Sequence, residues 1–165
     1  NDIEKIRIWR NKQIKFLRQK KTLNKIDQKF YFMNDVKKQL NKKKPNFILF
    51  AFRKNNILIG YGGFTNINWI KKEAELSFLL NNNLAKKVNR YNKDFKKFKL
   101  ISKKFTKKIY LNRLISFTFV SRKNHIRIME NCGFYKKKKV MDKSKKNYCF
   151  KHILKIYDDK QSNKI

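Results

Sequence analysis

The stretch from residue 111 to residue 135, LNRLISFTFVSRKNHIRIMENCGFY, constrains the fold of this chain more than any other. Leu114 to Val120 alternates apolar and polar residues, which predicts a β-strand. Asn124 can cap a following helix, because its side-chain oxygen can accept a hydrogen bond from a free backbone N–H. Gly133 suits the left-handed position just past a helix end, where Phe134 can pack back onto the helix. The stretch therefore predicts a strand, a short helix and a glycine stop in close succession.

Three earlier segments predict further strands of the same sheet. Asn46 to Arg53 and Ile57 to Thr65 are rich in β-forming residues and predict a hairpin. Glu73 to Leu80 alternates in the same way, with Glu75 on its more polar face. Glycine within a strand marks a bulge or a close approach of backbones, so either a simple bulge or room for a ligand is expected at Gly60, Gly62 and Gly63.

Apolar periodicity predicts the helices. Asp2 can begin a helix that runs to about Leu17, and Asn24, with Asp27 three residues on, resembles a capping box that begins a second. Phe134 to Met141 and Asn147 to Tyr157 predict a final hairpin, followed by a polar tail at 158–165. The second helix carries apolar residues at helical spacing (Ile26, Phe30, Met33 and Leu40), and a later one carries Phe95, Phe98, Ile101, Phe105 and Ile109.

The composition bounds the class of protein. A chain of 165 residues is long enough to bury a core, and no run of about 18 apolar residues predicts a membrane span. The net charge of +34 is compatible with nucleic-acid binding. The lysines are scattered among Asn, Ile and Phe, however, as codon bias in an AT-rich genome would produce, so a solvated surface is favoured and nucleic acid remains open. Cys132 and Cys149 predict free thiols in a reducing, cytoplasmic compartment.

The ordered motifs resemble those of the GNAT superfamily of N-acetyltransferases. The resemblance rests on Asn124, Glu130, Gly133 and Phe134 in the central stretch and on the strands before it, and Trp9-Arg10-Asn11 is similar to the WRN signature of one branch of that family. It implies an α/β (α+β) fold with a mixed, mostly antiparallel sheet of six to seven strands, splayed between the fourth and fifth. Helices would cover both faces in a single domain over 1–157, with the first strand of the family missing here.

The resemblance also implies the chemistry and the candidate residues. Acetyl-CoA is the expected donor, a small-molecule amine is the expected acceptor, and no metal site is expected, because two histidines and two cysteines do not fall at metal-ligand spacing. Glu75 would be the base, and a backbone N–H near the end of its strand would hold the thioester oxygen. The residues expected at acetyl-CoA are Phe78, Leu79, Leu80, Lys86, Lys87, Asn89, Arg90, Tyr91 and Asn124, and those expected at the acceptor are Trp9, Arg10, Asn11 and Phe64.

Two departures from the family pattern leave the chemistry open. The loop that usually binds pyrophosphate is rich in glycine, whereas residues 81–95, NNNLAKKVNRYNKDF, contain none. The tyrosine that often protonates the leaving thiolate is replaced by Met129, and spacing does not choose among three substitutes, Tyr91, Tyr110 and Tyr148.

Three functions are therefore expected as alternatives. The first is acetylation of a primary amine, with a nucleotide-linked amino sugar as the first guess from the WRN branch. The second is acetylation of protein N-termini or ribosomal proteins, and the third is a degenerate domain that binds RNA or another polyanion. A monomer or a homodimer is expected, with no membrane association.

Overall fold

The computed structural model describes residues 2–143 and 145–157, so the predicted tail at 158–165 lies outside the described residues. The strands are β1 (Ile48–Lys54), β2 (Ile57–Asn68), β3 (Glu73–Leu80), β4 (Arg113–Phe119), β5 (Tyr135–Asp142) and β6 (Asn147–Lys155). The helical segments are α1 (Asp2–Lys12), a 3₁₀ turn (Ile14–Phe16), α2 (Lys25–Phe30), a π-helical stretch (Tyr31–Val36), α3 (Lys37–Leu40), α4 (Asn82–Ala85), α5 (Val88–Lys108) and α6 (Lys123–Asn131).

The six strands form one mixed sheet in the order β1-β2-β3-β4-β6-β5. All neighbours are antiparallel except β3 and β4, which run parallel. One core cluster lies where α5 and α6 cover the sheet, and a second is formed by Ile6 and Trp9 of α1 with Leu58, Tyr61 and Leu79. Helices therefore cover both faces, and the predicted fold class is confirmed.

The parallel pair opens partway along its length. β3 and β4 pair only where Glu73–Glu75 lies opposite Arg113–Ile115. Beyond that point β3 continues beside β2 as far as Leu80, while β4 continues beside β6 as far as Phe119. Each strand is thus held on its outer side and free on its inner side, so alternate backbone N–H groups of β3 face a gap instead of a neighbouring strand. This is the splay predicted between the fourth and fifth strands of the family.

Aromatic packing holds α5 on the sheet. Its buried residues recur every three or four positions, which is the period of one helical face. Phe98 lies 4.6 Å from Phe78 of β3, and Phe105 lies 5.1 Å from Phe50 of β1, measured between ring centroids. Burying each such side chain contributes about 1.5–3 kcal/mol. The close approach of β2 and β3 explains Gly62, because a Cβ there would overlap the Ser77 carbonyl oxygen and lie 3.0 Å from the Phe98 ring.

The glycine that ends α6 behaves as predicted. Gly133 has a φ of +83°, its N–H bonds the carbonyl of Glu130, and Phe134 is buried in the main core. The capping prediction for Asn124 is wrong. α6 begins two residues earlier than a helix capped by Asn124 would, at Lys123, with Arg122 at the capping position and no side-chain cap, so Asn124 lies inside the first turn.

The first helix is shorter than predicted. α1 ends at Lys12, and Leu17 has extended backbone angles. The Gln13 side chain donates hydrogen bonds of 2.7 Å to the Leu80 carbonyl and to Asn82 Oδ1. These bonds tie the chain to the end of β3 and accompany the end of the helix at this point.

The apolar stripe of the second predicted helix does not face the core as periodicity alone suggests. Ile26 is 80% exposed and Leu40 is 77% exposed, because this helical region packs on the protein through Gln28, Tyr31 and Phe32 instead. The capping bond predicted for Asn24 is present, with its side chain accepting from the Asp27 N–H at 2.7 Å. Among the described residues, no helix is long and apolar enough to cross a bilayer.

Candidate active site

Two cavities that share lining residues lie at and beside the gap between β3 and β4. The larger, of about 1020 Å³, is called here the donor-side cavity and lies against α4 and the starts of α5 and α6. The smaller, of about 700 Å³, is called the acceptor-side cavity and lies beside Glu75 and the inner edges of β3 and β4. Three residues line both: Phe16, Arg122 and His125. A group that passes between the cavities must therefore pass these side chains.

The loop without glycine lines the donor-side cavity and does not fill it. Asn81 accepts hydrogen bonds from the N–H groups of Asn83 and Leu84, so it caps the short helix α4. α5 then begins at Val88, and its first helical bond runs from the Tyr91 N–H to the Lys87 carbonyl. The N–H groups of the turn before Tyr91 have no acceptor within the helix, and they carry the positive end of the dipole of a 21-residue helix. A loop without glycine thus still places the start of α5 at the cavity.

The donor-side cavity is strongly cationic. Its described lining includes no aspartate or glutamate. Such a wall, next to the start of α5, suits phosphate groups on electrostatic grounds. The cations that line it are Lys12, Lys15, Lys86, Arg122 and Lys123.

The acceptor-side cavity holds the predicted base. Glu75 is the last residue of β3 that pairs with β4, so its carboxylate lies where the strands separate. It forms an ion pair with Arg18 and accepts a 3.0 Å hydrogen bond from Asn66 Nδ2. The Arg18 guanidinium also stacks on the Phe117 ring at 5.1 Å. The carboxylate is thus already in contact with a cation that an aromatic face supports.

Comparison with known proteins agrees with this geometry. The family described as "Acetyltransferase (GNAT) domain" matches residues 1–154. The chain belongs to the GNAT acetyltransferases. It is therefore an acyltransferase that uses acetyl-CoA as its donor. No protein of curated function matches the sequence.

Solved structures of other GNAT enzymes share the fold. Spermidine N-acetyltransferase from Vibrio cholerae in complex with CoA and spermine is 14% identical with a TM-score of 0.75, over 93% of this chain and 89% of that one. The dodecameric form of that enzyme in an intermediate state is 14% identical with a TM-score of 0.70, over 99% and 93% of the two chains. At this identity the likeness supports the GNAT fold alone.

The residues of this GNAT domain fit acetyl-CoA. The cationic donor-side wall suits its phosphates, and the free inner edge of β3 offers N–H groups for the pantetheine arm and the thioester oxygen. Bound there, acetyl-CoA supplies the acetyl thioester. Lys86, Tyr91 and Asn124 line the donor-side cavity, and Phe78 lines the acceptor-side cavity.

Several predicted donor residues lie outside the cavity walls. Leu79 and Leu80 are buried, so their side chains serve the core and only their backbone is available. Lys87 and Asn89 are exposed at the start of α5. The Arg90 guanidinium bonds Asp94 at 2.6 Å. Contacts of these residues with acetyl-CoA stay predictions.

The three residues of the WRN-like triplet lie in three different environments. Arg10 lines the acceptor-side cavity and bonds Gln19 Oε1 at 3.0 Å. Trp9 is buried in the α1 core cluster, and Asn11 bonds both the N–H and the carbonyl of Leu23. Phe64 is fully buried between Phe50 and Phe105. Of the four residues predicted at the acceptor, the structure brings Arg10 to the cavity.

Two residues of the site, His125 and Arg122, were not predicted from the sequence. Both line both cavities, and the only sequence signal for them was their position beside Asn124. Burial, followed by the nearby Arg122 charge, holds the pKa of His125 well below its usual value. The ring is therefore neutral at neutral pH and can accept or donate a proton. Burial also raises the pKa of the Cys149 thiol to about 11, which makes it a poor nucleophile.

Proposed function

We propose that this GNAT enzyme acetylates the primary amine of a small molecule that also carries an anionic group, with nucleotide-linked amino sugars as the first class to test. The observation that carries the proposal is the charge of the acceptor-side cavity. Four cationic residues line it (Arg10, Arg18, Arg122 and Lys143), against two acidic ones, Glu75 and Asp142. An acceptor with an anionic tail gains from this balance, while its amine can approach the single carboxylate at the strand separation.

The same balance weighs against a polyamine acceptor. The similar Vibrio cholerae enzyme acts on spermidine, which carries several positive charges. A polycation would meet more cations than anions in this cavity, and the whole chain carries a net charge of +34. Each like-charge contact costs free energy instead of contributing it. Spermidine is therefore the control acceptor, expected to be poor.

The WRN-like triplet supports membership of the branch that acetylates amino sugars and ribosomal proteins. Trp9 fixes α1 in its core cluster, and Asn11 fixes the loop after it through Leu23. Arg10, between them, is left directed to the acceptor side. A protein N-terminus remains the second acceptor class to test, and the balance of arginines favours one with acidic neighbours.

The polyanion-binding alternative has less support. It expects the loop at 83–94 to fill the cleft, whereas Asn83, Lys86 and Tyr91 of this loop line an open cavity. Exposed lysines also occur on α1, α2, α3, α5, β1 and β5, as expected for a generally basic surface. We further propose that residues 1–157 form one domain, that it is a monomer or homodimer, and that its buried free thiols Cys132 and Cys149 belong to a reducing compartment such as the cytoplasm.

Isothermal titration with acetyl-CoA tests the donor side. At about 0.15 M salt the Debye length is about 8 Å, which damps nonspecific attraction to lysines. One-site binding with a Kd of the order of micromolar is expected, about −8 kcal/mol. Lys86→Ala should weaken it roughly tenfold, because a charged hydrogen bond contributes about 1.5 kcal/mol. Lys104→Ala, an exposed lysine on α5 outside the cavity, is the matched control. A folded protein without saturable binding would remove the acetyltransferase function from this chain.

The base prediction has its own test. Glu75→Gln is expected to lower kcat about a hundredfold, because an amide cannot take the proton of the attacking amine. Glu73→Gln is the matched control, since Glu73 lies on the same strand, pairs with Arg113 at 3.3 Å and lines neither cavity. Initial rates of CoA release with a saturating acceptor measure both. Equal rates in the two variants would assign the Glu75 carboxylate a structural role only.

A further inference from the structure

A buried tyrosine and a histidine form a hydrogen-bonded pair at the boundary of the two cavities. The Tyr91 hydroxyl lies 3.1 Å from His125 Nδ1. Tyr91 is 8% exposed and lines the donor-side cavity, while His125 lines both cavities. The pair sits under aromatic rings, with Phe78 5.8 Å and Phe95 6.3 Å from the Tyr91 ring centroid. Phe78 belongs to the splayed half of β3, so the hydroxyl lies near the place where donor and acceptor must meet.

The other two tyrosines considered as proton donors to the leaving thiolate, Tyr110 and Tyr148, lie elsewhere. Tyr110 is 76% exposed in the turn after α5, where it adopts a φ of +56°. Tyr148 is 45% exposed on β6, with the Lys139 ammonium over its ring. Neither lines the donor-side or the acceptor-side cavity. The structure thus separates three candidates that spacing in the sequence could not.

We propose that Tyr91, held by His125, gives its proton to the CoA sulfur as the thiol leaves; this rests on the acetyltransferase function proposed above. The amine nitrogen forms its bond to the acetyl carbon, and the carbon–sulfur bond breaks with its electron pair going to sulfur. Sulfur takes the Tyr91 proton. Glu75 takes the first proton, from the ammonium form of the acceptor before it attacks. The second proton, which the nitrogen loses after attack, enters His125 at Nε2, and the Nδ1 proton of His125 restores Tyr91. Atoms and charges then balance, and the imidazole ends in its other neutral tautomer.

The pairing resolves a difficulty with a buried tyrosine acid. Burial raises the pKa of Tyr91 above its usual value of 10, whereas a thiol titrates near 8.5. Transfer of a proton from Tyr91 alone to the CoA thiolate would therefore be thermodynamically unfavourable. A neighbour that resupplies the proton at once removes most of that cost, and Nδ1 of a neutral His125 is within hydrogen-bonding reach to do so.

The charged neighbours of the pair favour the same proton transfer, from Tyr91 to the CoA sulfur. Arg122 lies close enough to Tyr91 to lower its pKa against the effect of burial, so its guanidinium would stabilise a developing phenolate. Arg122 and His152 both oppose a positive charge on His125. The other charged residues of the donor-side cavity, Lys12, Lys15, Lys86 and Lys123, are cations, whereas the acceptor-side cavity that His125 also lines holds Glu75 and Asp142. His125 thus passes a proton without staying charged.

The test uses CoA itself, so it needs no knowledge of the acceptor. CoA carrying ¹³C at the carbon next to sulfur is bound to the protein, and its chemical shift is followed with pH to obtain the pKa of the bound thiol. A hydrogen bond from Tyr91 stabilises the thiolate, so Tyr91→Phe is expected to raise that pKa by about one. Tyr148→Phe is the matched control and should change nothing.

The outcomes separate the two proposals. If wild-type protein binds CoA saturably and Tyr91→Phe leaves both the Kd and the thiol pKa unchanged, Tyr91 is not the proton donor, while the acetyltransferase function stands. If Tyr148→Phe shifts the thiol pKa and Tyr91→Phe does not, the assignment is overturned in favour of Tyr148. If folded wild-type protein binds no CoA, the acetyltransferase function fails and the Tyr91 proposal fails with it.

Discussion

Replacing Gly63 by alanine is expected to destabilise the protein severely. Gly63 lies in β2 with a φ of +145°, and a Cβ there would overlap the Ile48 carbonyl oxygen and reach 3.0 Å from Leu49 Cα. Forcing a residue with a side chain into such a backbone conformation costs about 1–3 kcal/mol before the overlap is counted. The atoms in the way belong to the backbone of β1, which is fixed by pairing on this edge of the sheet. Against a total stability of about 5–15 kcal/mol, a loss of 3 kcal/mol or more is expected.

Denaturation in urea, followed by circular dichroism, measures this loss. Gly133→Ala is the matched control, because Gly133 also has a positive φ, of +83°, but a Cβ there would lie 3.6 Å from Leu154 in ordinary contact. Its cost should therefore stay near 1 kcal/mol. If the two variants unfold at the same urea concentration, the close approach of β1 and β2 is not what requires glycine at position 63.

Truncation of Phe95 to alanine is expected to cost about 3–5 kcal/mol, as for other fully buried phenylalanines. Phe95 is 2% exposed on α5 and lies 5.4 Å from Phe78 and 5.5 Å from His125, measured between ring centroids. The change would leave a cavity beneath the Tyr91–His125 pair, so CoA affinity should fall along with stability.

Ile101→Ala provides the comparison on the same helix. Ile101 follows the same apolar spacing in the sequence, yet it is 57% exposed, and its truncation should change the free energy of unfolding by no more than about 0.5 kcal/mol. Thermal and urea denaturation of the two variants measure the difference. Similar losses would mean that Ile101 is covered in solution, for example by a second copy of the chain.

The contrast between Phe95 and Ile101 illustrates what periodicity can and cannot determine. Spacing of three and four residues identifies a helix and an approximate face. The exact rotation of that face is decided by what it packs against, and here the aromatic side chains of β1, β2 and β3 select Phe95, Phe98 and Phe105. Ser102 and Thr106, which are not part of the apolar pattern, are buried on the same helix, whereas Ile101 is exposed.

The sequence alone determined the order of strands and helices, the glycine stop after α6 and the family. These features depend on local rules, because alternation, capping and a left-handed glycine need only neighbours along the chain. The strand separation and Glu75 beside it were also expected, from the family resemblance, whereas tertiary structure alone decided which other residues meet there. The ion pair of Glu75 with Arg18 and the hydrogen bond between Tyr91 and His125 join residues that are 57 and 34 positions apart in the sequence. No local pattern records such distances, because they follow from how α5 and α6 settle on a sheet whose parallel pair has opened.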